Sequence, residues 1–273
     1  MPDASYLWPL RIGLRKSPHH FDLLVDLPAQ LAIKLQQRIG NLRCAILSPI
    51  DYARHGGDYR IVPAVAVSSC IRSGCIQLYI NRDVKDIRTL AVDIRVTSEI
   101  ILAKIILAEK FPNSRSSDAS LQFIPMLPDR ATMMHKADAA LIVNPQPVSG
   151  PSSDDFALDL VDEWYDMTGL PYVHGCWVGY EDEGSEIIVR DLLRVKELGV
   201  AHLDEVAKGL ASDLHLAPAV AAEYFSAFSY DLGQKEQESL TEFMKYAFYH
   251  GVLQDVPDLN FFESDPPPST SVD

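Results

Sequence analysis

Apolar residues in this chain of 273 residues come in short runs, and none reaches the roughly 18 uninterrupted apolar positions that a membrane-spanning helix requires. The runs have strand length and alternate with stretches of helical period as far as Glu181, beyond which every periodic segment is helical. That order constrains the fold to the α/β class, a doubly wound arrangement with a helical C-terminal segment laid against it. A chain of this length holds one large or two medium domains, at roughly 100 to 200 residues each. With 47% hydrophobic and 23% charged residues it has enough apolar matter to bury a core.

Strand signals fall at residues 8–14, 44–47, 60–68, 75–80, 89–93, 121–125, 139–143 and 172–179. Helical periods cover 21–39 with a break at Leu27-Pro28, then 97–111 and 159–168, and finally 185–198, 203–214, 218–230 and 234–251. Ser48 ahead of Pro49 has the chemistry of a helix N-cap. Residues 145–155, rich in Pro, Ser, Gly and Asp, read as an exposed loop, and the tail 263–273 is expected to be disordered. No internal repeat is present.

The net charge of −14, from 24 basic and 38 acidic residues, comes without a basic cluster, which excludes nucleic acid as a partner. A small anion would be repelled at long range and must be held by local donors such as backbone amides and helix N-termini. Cys44, Cys70, Cys75 and Cys176 lack CxxC or zinc-type spacing, so they read as buried thiols and no metal is implied. The opening MPDASYLWPLRIG has no basic segment followed by a long apolar run. A reduced, cytoplasmic setting without membrane association is therefore the default expectation.

The block Asp159-Leu160-Val161-Asp162-Glu163-Trp164, followed by Thr168-Gly169-Leu170-Pro171-Tyr172-Val173 and closing on Trp177, resembles the chorismate dehydratases of the futalosine route to menaquinone. Leu47-Ser48-Pro49-Ile50-Asp51-Tyr52-Ala53-Arg54-His55 is similar to that family's serine-containing turn before a Tyr-Ala-Arg run. Further agreement comes from Ser68-Ser69, from Asp93 through Thr97-Ser98, from Asp138-Ala139-Ala140-Leu141-Ile142, and from Leu240 to Phe243. The resemblance implies a two-lobed fold like the type-2 periplasmic binding proteins, closing on a small anionic, chorismate-like carboxylate. The first lobe is expected to be discontinuous, residues 1–92 and 178–262, with residues 93–177 as the second lobe.

The activity it implies is a carbon–oxygen lyase reaction, removal of water from chorismate to give 3-(1-carboxyvinyloxy)benzoate. Such an elimination needs a base near the C3 hydrogen, help for the departing C4 hydroxyl and anchors for two carboxylates. Aromatisation supplies driving force, so positioning and charge stabilisation suffice without a cofactor. Two alternatives stay open: a small-carboxylate-binding paralog without catalysis, and a sister enzyme acting on a dehypoxanthine futalosine derivative, which Ser17-Pro18 fits loosely.

Thr97 and Ser98 offer hydroxyls and amides where a helix begins, a place for one carboxylate. Ser68 and Ser69 end a strand, where open α/β sheets present ligand contacts, and Ser48 adds a further hydroxyl. Three departures from the family bear on the chemistry. Its first strand carries a Tyr-Leu-Asn run, and counted from Ile12-Gly13 the Asn position falls near His19, or at Ser17 or His20. A Gly-Asp pair is replaced around Asn144, and His174 stands where an aromatic residue is usual. His19, His20 and His174 are thus candidate acid/base groups, and Asn144, Ser17 and Arg15 are candidate ligand contacts.

Overall fold

Residues 8–14, read from the sequence as a strand, lie instead in a helix, α1 (Trp8–Lys16). Pro9 fits the first turn, where no amide is needed, and buried Leu10, Gly13 and Leu14 share one face. The helical reading of 21–39 shrinks to α2 (Pro28–Gln36), which Pro28 starts and which Arg38 and Gly40, both at positive φ, end. A computed structural model describes residues 1–70, 73–81, 86–110, 121–143 and 155–263.

Among the described residues two sheets form. The first has the order β1-β8-β2-β9, with β1 (Cys44–Leu47), β8 (Tyr172–Tyr180), β2 (Tyr59–Ser69) and the two-residue β9 (Phe228–Ser229), all pairings antiparallel. The second has the order β5-β4-β6-β3-β7, with β5 (Gln122–Met126), β4 (Thr89–Asp93), β6 (Ala139–Val143), β3 (Ile76–Asn81) and β7 (Asp155–Asp159). Here β4 runs parallel to β5 and β6, while β3 is antiparallel to β6 and β7. The chain enters the second sheet between β2 and β3 and leaves it through α6 (Leu160–Thr168) into β8.

The short strands β7 and β9 carry no signal of their own in the sequence. β7 exists by pairing with β3, and β9 is two residues added to the end of β2. The expected loop at 145–155 lies almost wholly outside the described residues, as does the tail beyond Glu263.

The block Asp159 to Trp177 joins the two sheets. Asp159 caps α6 through the Val161 amide, and Gly169, at φ 70°, ends it in a left-handed turn that a side chain would strain. Trp164, fully buried on α6, meets Phe243 of α10 (Gln234–Tyr249) at 5.7 Å and Tyr172 of β8 at 6.5 Å between ring centroids. Its indole nitrogen donates to the Ser239 hydroxyl, which donates in turn to the Pro171 carbonyl. The segment after the second sheet is therefore locked to the C-terminal helix.

Of the remaining helices, α3 (Pro49–His55), α4 (Ser98–Lys110), α5 (Arg130–Lys136) and α7 (Ser185–Ala201) pack on the sheets, while α8 (Leu203–Asp213) and α9 (Pro218–Ser226) pack on each other and against Trp8 and Ile12 of α1. No helix among the described residues is long and apolar enough to cross a membrane.

Candidate functional site

Three chain segments that leave the two sheets converge on one small cavity. At the end of β1, Ser48 caps α3: its hydroxyl accepts from the Asp51 amide and donates to the Asp51 carboxylate at 2.7 Å. After β4, Asp93 is clamped by Arg95 through both carboxylate oxygens, and the chain turns into Thr97, Ser98 and Glu99 at the start of α4. The Ser98 hydroxyl accepts from the Ile50 amide at 3.2 Å. One buried hydrogen bond thus ties the first turn of α3, beside the first sheet, to the first turn of α4, beside the second.

Register shifts interrupt β2 against β8, one between Ile61 and Ala66 and another between Val67 and Ser68. Bulges of this kind re-aim side chains near sites. Ser69 consequently meets His174 of β8, with its hydroxyl 2.7 Å from Nε2, while Ser68 on the other face donates to Glu236 of α10 at 3.5 Å. The thiol of Cys75 lies 3.8 Å from the same imidazole nitrogen, and His174 Nδ1 is buried with no partner among the described residues. Tyr6, in the turn Ser5–Leu7 before α1, lays its ring 4.9 Å from the imidazole.

The cavity, about 20 Å³ and so room for about one water, is lined by Tyr6, Ser48, Thr97, Glu99 and His174, with Leu7 and Ile46 among the apolar residues. None of the described lining residues is Lys or Arg. An anion bound here would therefore rest on hydroxyls and on the amides at the N-terminus of α4.

Electrostatics sharpen the picture. Glu99 is 8% exposed, and burial raises its carboxyl to about 7, with the nearby Asp51 and Asp93 carboxylates adding to the effect and the Glu99 and Thr97 amides opposing it. Burial drives His174 the other way, to about 3, so the imidazole is neutral at pH 7. Burial also holds the Tyr6 and Tyr172 phenols and the Cys75 thiol well above their usual ranges. Two groups in the cavity wall, a carboxyl and an imidazole, thus have their protonation pushed in opposite senses.

Of the residues singled out from sequence, Ser48, Thr97 and His174 line the cavity, and Ser98 and Ser69 stand directly behind it through Ile50 and His174. Ser68 is buried toward α10. Asn144 lies outside the described residues. His19, His20, Ser17 and Arg15 do not reach the site, a correction that follows from α1 being a helix, which carries residues 15–20 to its far end. His19, half-exposed, pairs instead with Asp191 of α7 at 2.7 Å, and the exposed His20 pairs with Asp22. Ser17 accepts from the His19 amide, and Arg15 is exposed in the last turn of α1. Cys70, expected to be buried, is exposed.

His19→Ala and His20→Ala are accordingly expected to leave ligand affinity and turnover unchanged, with His19→Ala costing about 1–3 kcal/mol of stability because it takes a partner from the buried Asp191 carboxylate. A drop of more than threefold in either functional readout would place these residues back in the cleft. Among the described residues no three His, Cys, Asp or Glu side chains gather as a metal site would need.

Two cavity residues escaped the sequence reading. Glu99 follows Thr97-Ser98 directly, and its exposure to the cavity depends on where α4 starts. Tyr6-Leu7 stands ahead of α1 as a Tyr-Leu pair, followed by Trp8 where the resembled family's run has Asn. Counting from Ile12-Gly13 displaced that position past the end of α1.

The fold matches proteins of known structure. Protein AF1704 from Archaeoglobus fulgidus is 15% identical, with a TM-score of 0.71 over 93% of this chain and 97% of that one. The periplasmic aliphatic sulphonate binding protein SsuA from Escherichia coli is 11% identical, with a TM-score of 0.61 over 100% of this chain and 93% of its own. The Candida albicans CA3427 gene product, described as having the generic periplasmic binding protein fold, is 12% identical with a TM-score of 0.61 over 97% and 96%. These likenesses establish the architecture, a two-lobed periplasmic-binding-protein-like fold. A family model described as menaquinone biosynthesis matches residues 2–249, and with that match over nearly the whole chain, the protein belongs to the menaquinone biosynthesis family.

Proposed function

We propose that the protein is a chorismate dehydratase, a lyase that removes water from chorismate to give 3-(1-carboxyvinyloxy)benzoate. The observation that carries this reading is the cavity itself. The first turns of α3 and α4 close on each other through Ser98 and Ile50, and hydroxyls and amides face a space shared with one buried carboxyl. Membership of a menaquinone biosynthesis family supports it. In this reading Thr97 and the first turn of α4 hold one carboxylate, and the Ser48 hydroxyl is the anchor for the other. With no cation in the described lining, such donors are what the cavity offers an anion. Elimination then needs little beyond exclusion of water, alignment of the ring and a group that moves a proton.

Purified protein incubated with chorismate is expected to yield the carboxyvinyloxy-benzoate, detected by mass and by the absorbance of the new aromatic ring. A folded sample that leaves chorismate unchanged sinks this reading. Binding without turnover has one observation in its favour: SsuA, on the same architecture, is a sulphonate binding protein. Calorimetric binding of chorismate with no product formed would favour that second reading.

A further inference from the structure

Resting on the dehydratase reading for its kinetic consequence, we propose that Tyr52 is a positioning residue. Through its hydroxyl, the segment 257–262 fixes the first turn of α3 and with it the Ser48 hydroxyl and the Ile50 amide. That segment lies beyond residue 249, where the family match ends.

With seven residues, α3 is too short to be stable alone and takes its place from what surrounds it. Among the described residues, the hydrogen bonds that leave α3 run to two places. One is Ser98, whose hydroxyl accepts from the Ile50 amide at 3.2 Å. The other is the chain that follows α10, reached through Tyr52. The Tyr52 side chain is fully buried, and its hydroxyl donates to the Asp258 carbonyl at 2.8 Å and accepts from the Asn260 amide at 3.0 Å. One phenol therefore satisfies two main-chain groups of a segment that has no regular structure of its own.

The segment is anchored in turn, so it can serve as a fixed support. The Ile61 amide of β2 donates to the Asn260 carbonyl at 2.7 Å, and the Phe262 amide donates to the Ile61 carbonyl at 3.0 Å, a parallel bridge between Ile61 and Phe261. Phe262 is buried with its ring against Gly179 of β8, and Pro257 lies close to Gly56, where α3 ends. The helix is thus tied by Tyr52 to a support bonded to the first sheet, and by Ile50 to α4 beside the second. Its remaining contacts, with α2, α10 and β8, are packing contacts. Packing is non-directional, whereas a hydrogen bond fixes distance and angle, so the Tyr52 tie sets where the first turn stands.

The test compares wild type with Tyr52→Phe, which keeps the ring and removes the hydroxyl. The amide resonance of Ile50 reads its hydrogen bond to Ser98 in the folded protein, and in the variant it is expected to move toward the range of an unbonded amide. The Val178 amide of β8 should stay in place. With chorismate, KM should rise by about threefold to tenfold while kcat stays within about twofold, as when an anchor used equally in ground state and transition state is loosened. A purely structural role would lower stability and leave both the Ile50 resonance and KM of the folded variant unchanged. That outcome overturns the proposal, as does an unchanged KM by itself in an enzyme active on chorismate. A wild type silent toward chorismate sinks the dehydratase reading and leaves the Ile50 resonance to decide this one. If Tyr52→Phe fails to fold, Gly56→Ala takes its place, since the added Cβ would stand 3.2 Å from Pro257 and press on the segment. An Asn260 resonance that moves there while Ile50 does not also overturns the proposal.

Discussion

Gly13→Ala is expected to destabilise the protein by about 3 kcal/mol or more, and Gly199→Ala by a similar amount, although each adds a single methyl group. The two glycines sit where α1 and α7 cross. A Cβ on Gly13 would stand 2.0 Å from the Val195 carbonyl oxygen, and one on Gly199 would stand 2.3 Å from the Pro9 carbonyl oxygen. Both obstacles are backbone, so no rotamer change relieves the clash and the helices must separate. Gly209→Ala in α8 makes the control, because the nearest atom to its Cβ is a Trp8 ring carbon at 4.0 Å. There the methyl removes a helix-interior glycine and should raise stability by about 0.5–1 kcal/mol. Urea titrations of the three variants check both signs, and a neutral Gly13→Ala would show that the crossing is looser than described.

The consequence reaches the cavity. Tyr6 is held ahead of α1 by the Tyr230 hydroxyl, which donates to the Tyr6 carbonyl at 2.9 Å, and by α1 itself, whose docking on α7 depends on the two glycines. A variant that separates α1 from α7 should therefore lose chorismate affinity along with stability, while Gly209→Ala keeps it.

What the sequence disclosed follows from which interactions are local. Ser48 as the cap of α3, Thr97-Ser98 at the start of α4 and the turn at Gly169 are all written within three or four residues, and each stands where the pattern places it. The strand β8 was legible for the opposite reason: buried along eight of its nine residues, it is apolar without alternation, as a central strand must be. Residues 8–14 misled because Trp8, Leu10, Ile12 and Leu14 alternate like a strand, whereas the burial that decides the matter follows Pro9, Leu10, Gly13 and Leu14. That single misreading moved the expected site to His19 and His20. Glu99 was illegible in another way, since a glutamate in the first turn of a helix is ordinary helix chemistry and only the closure of α3 on α4 buries it.

The opposed protonation of Glu99 and His174 makes the pH dependence of stability the sharpest readout of the cavity. Glu99 has a folded value of about 7 against an ordinary glutamate value of 4.5. Between those limits the unfolded chain has lost a proton that the folded protein keeps, so this group's stabilising contribution is full below pH 4.5 and drains away as pH rises to 7. His174 has a folded value of about 3 against 6.5. Its contribution is full above pH 6.5 and drains away as pH falls toward 3. From pH 4.5 to 6.5 the two slopes cancel, each about 1.4 kcal/mol per pH unit. Removing one group exposes the other. Relative to wild type, Glu99→Gln should gain about 2–3 kcal/mol of stability between pH 4.5 and 6.5, and His174→Phe should lose about as much over the same interval. Taking differences from wild type cancels the contributions of carboxylates not coupled to Glu99, such as Asp159, which burial also raises. Denaturant melts of the three proteins at five pH values measure the slopes. Parallel curves for wild type and both variants would show that neither group is buried against its charge.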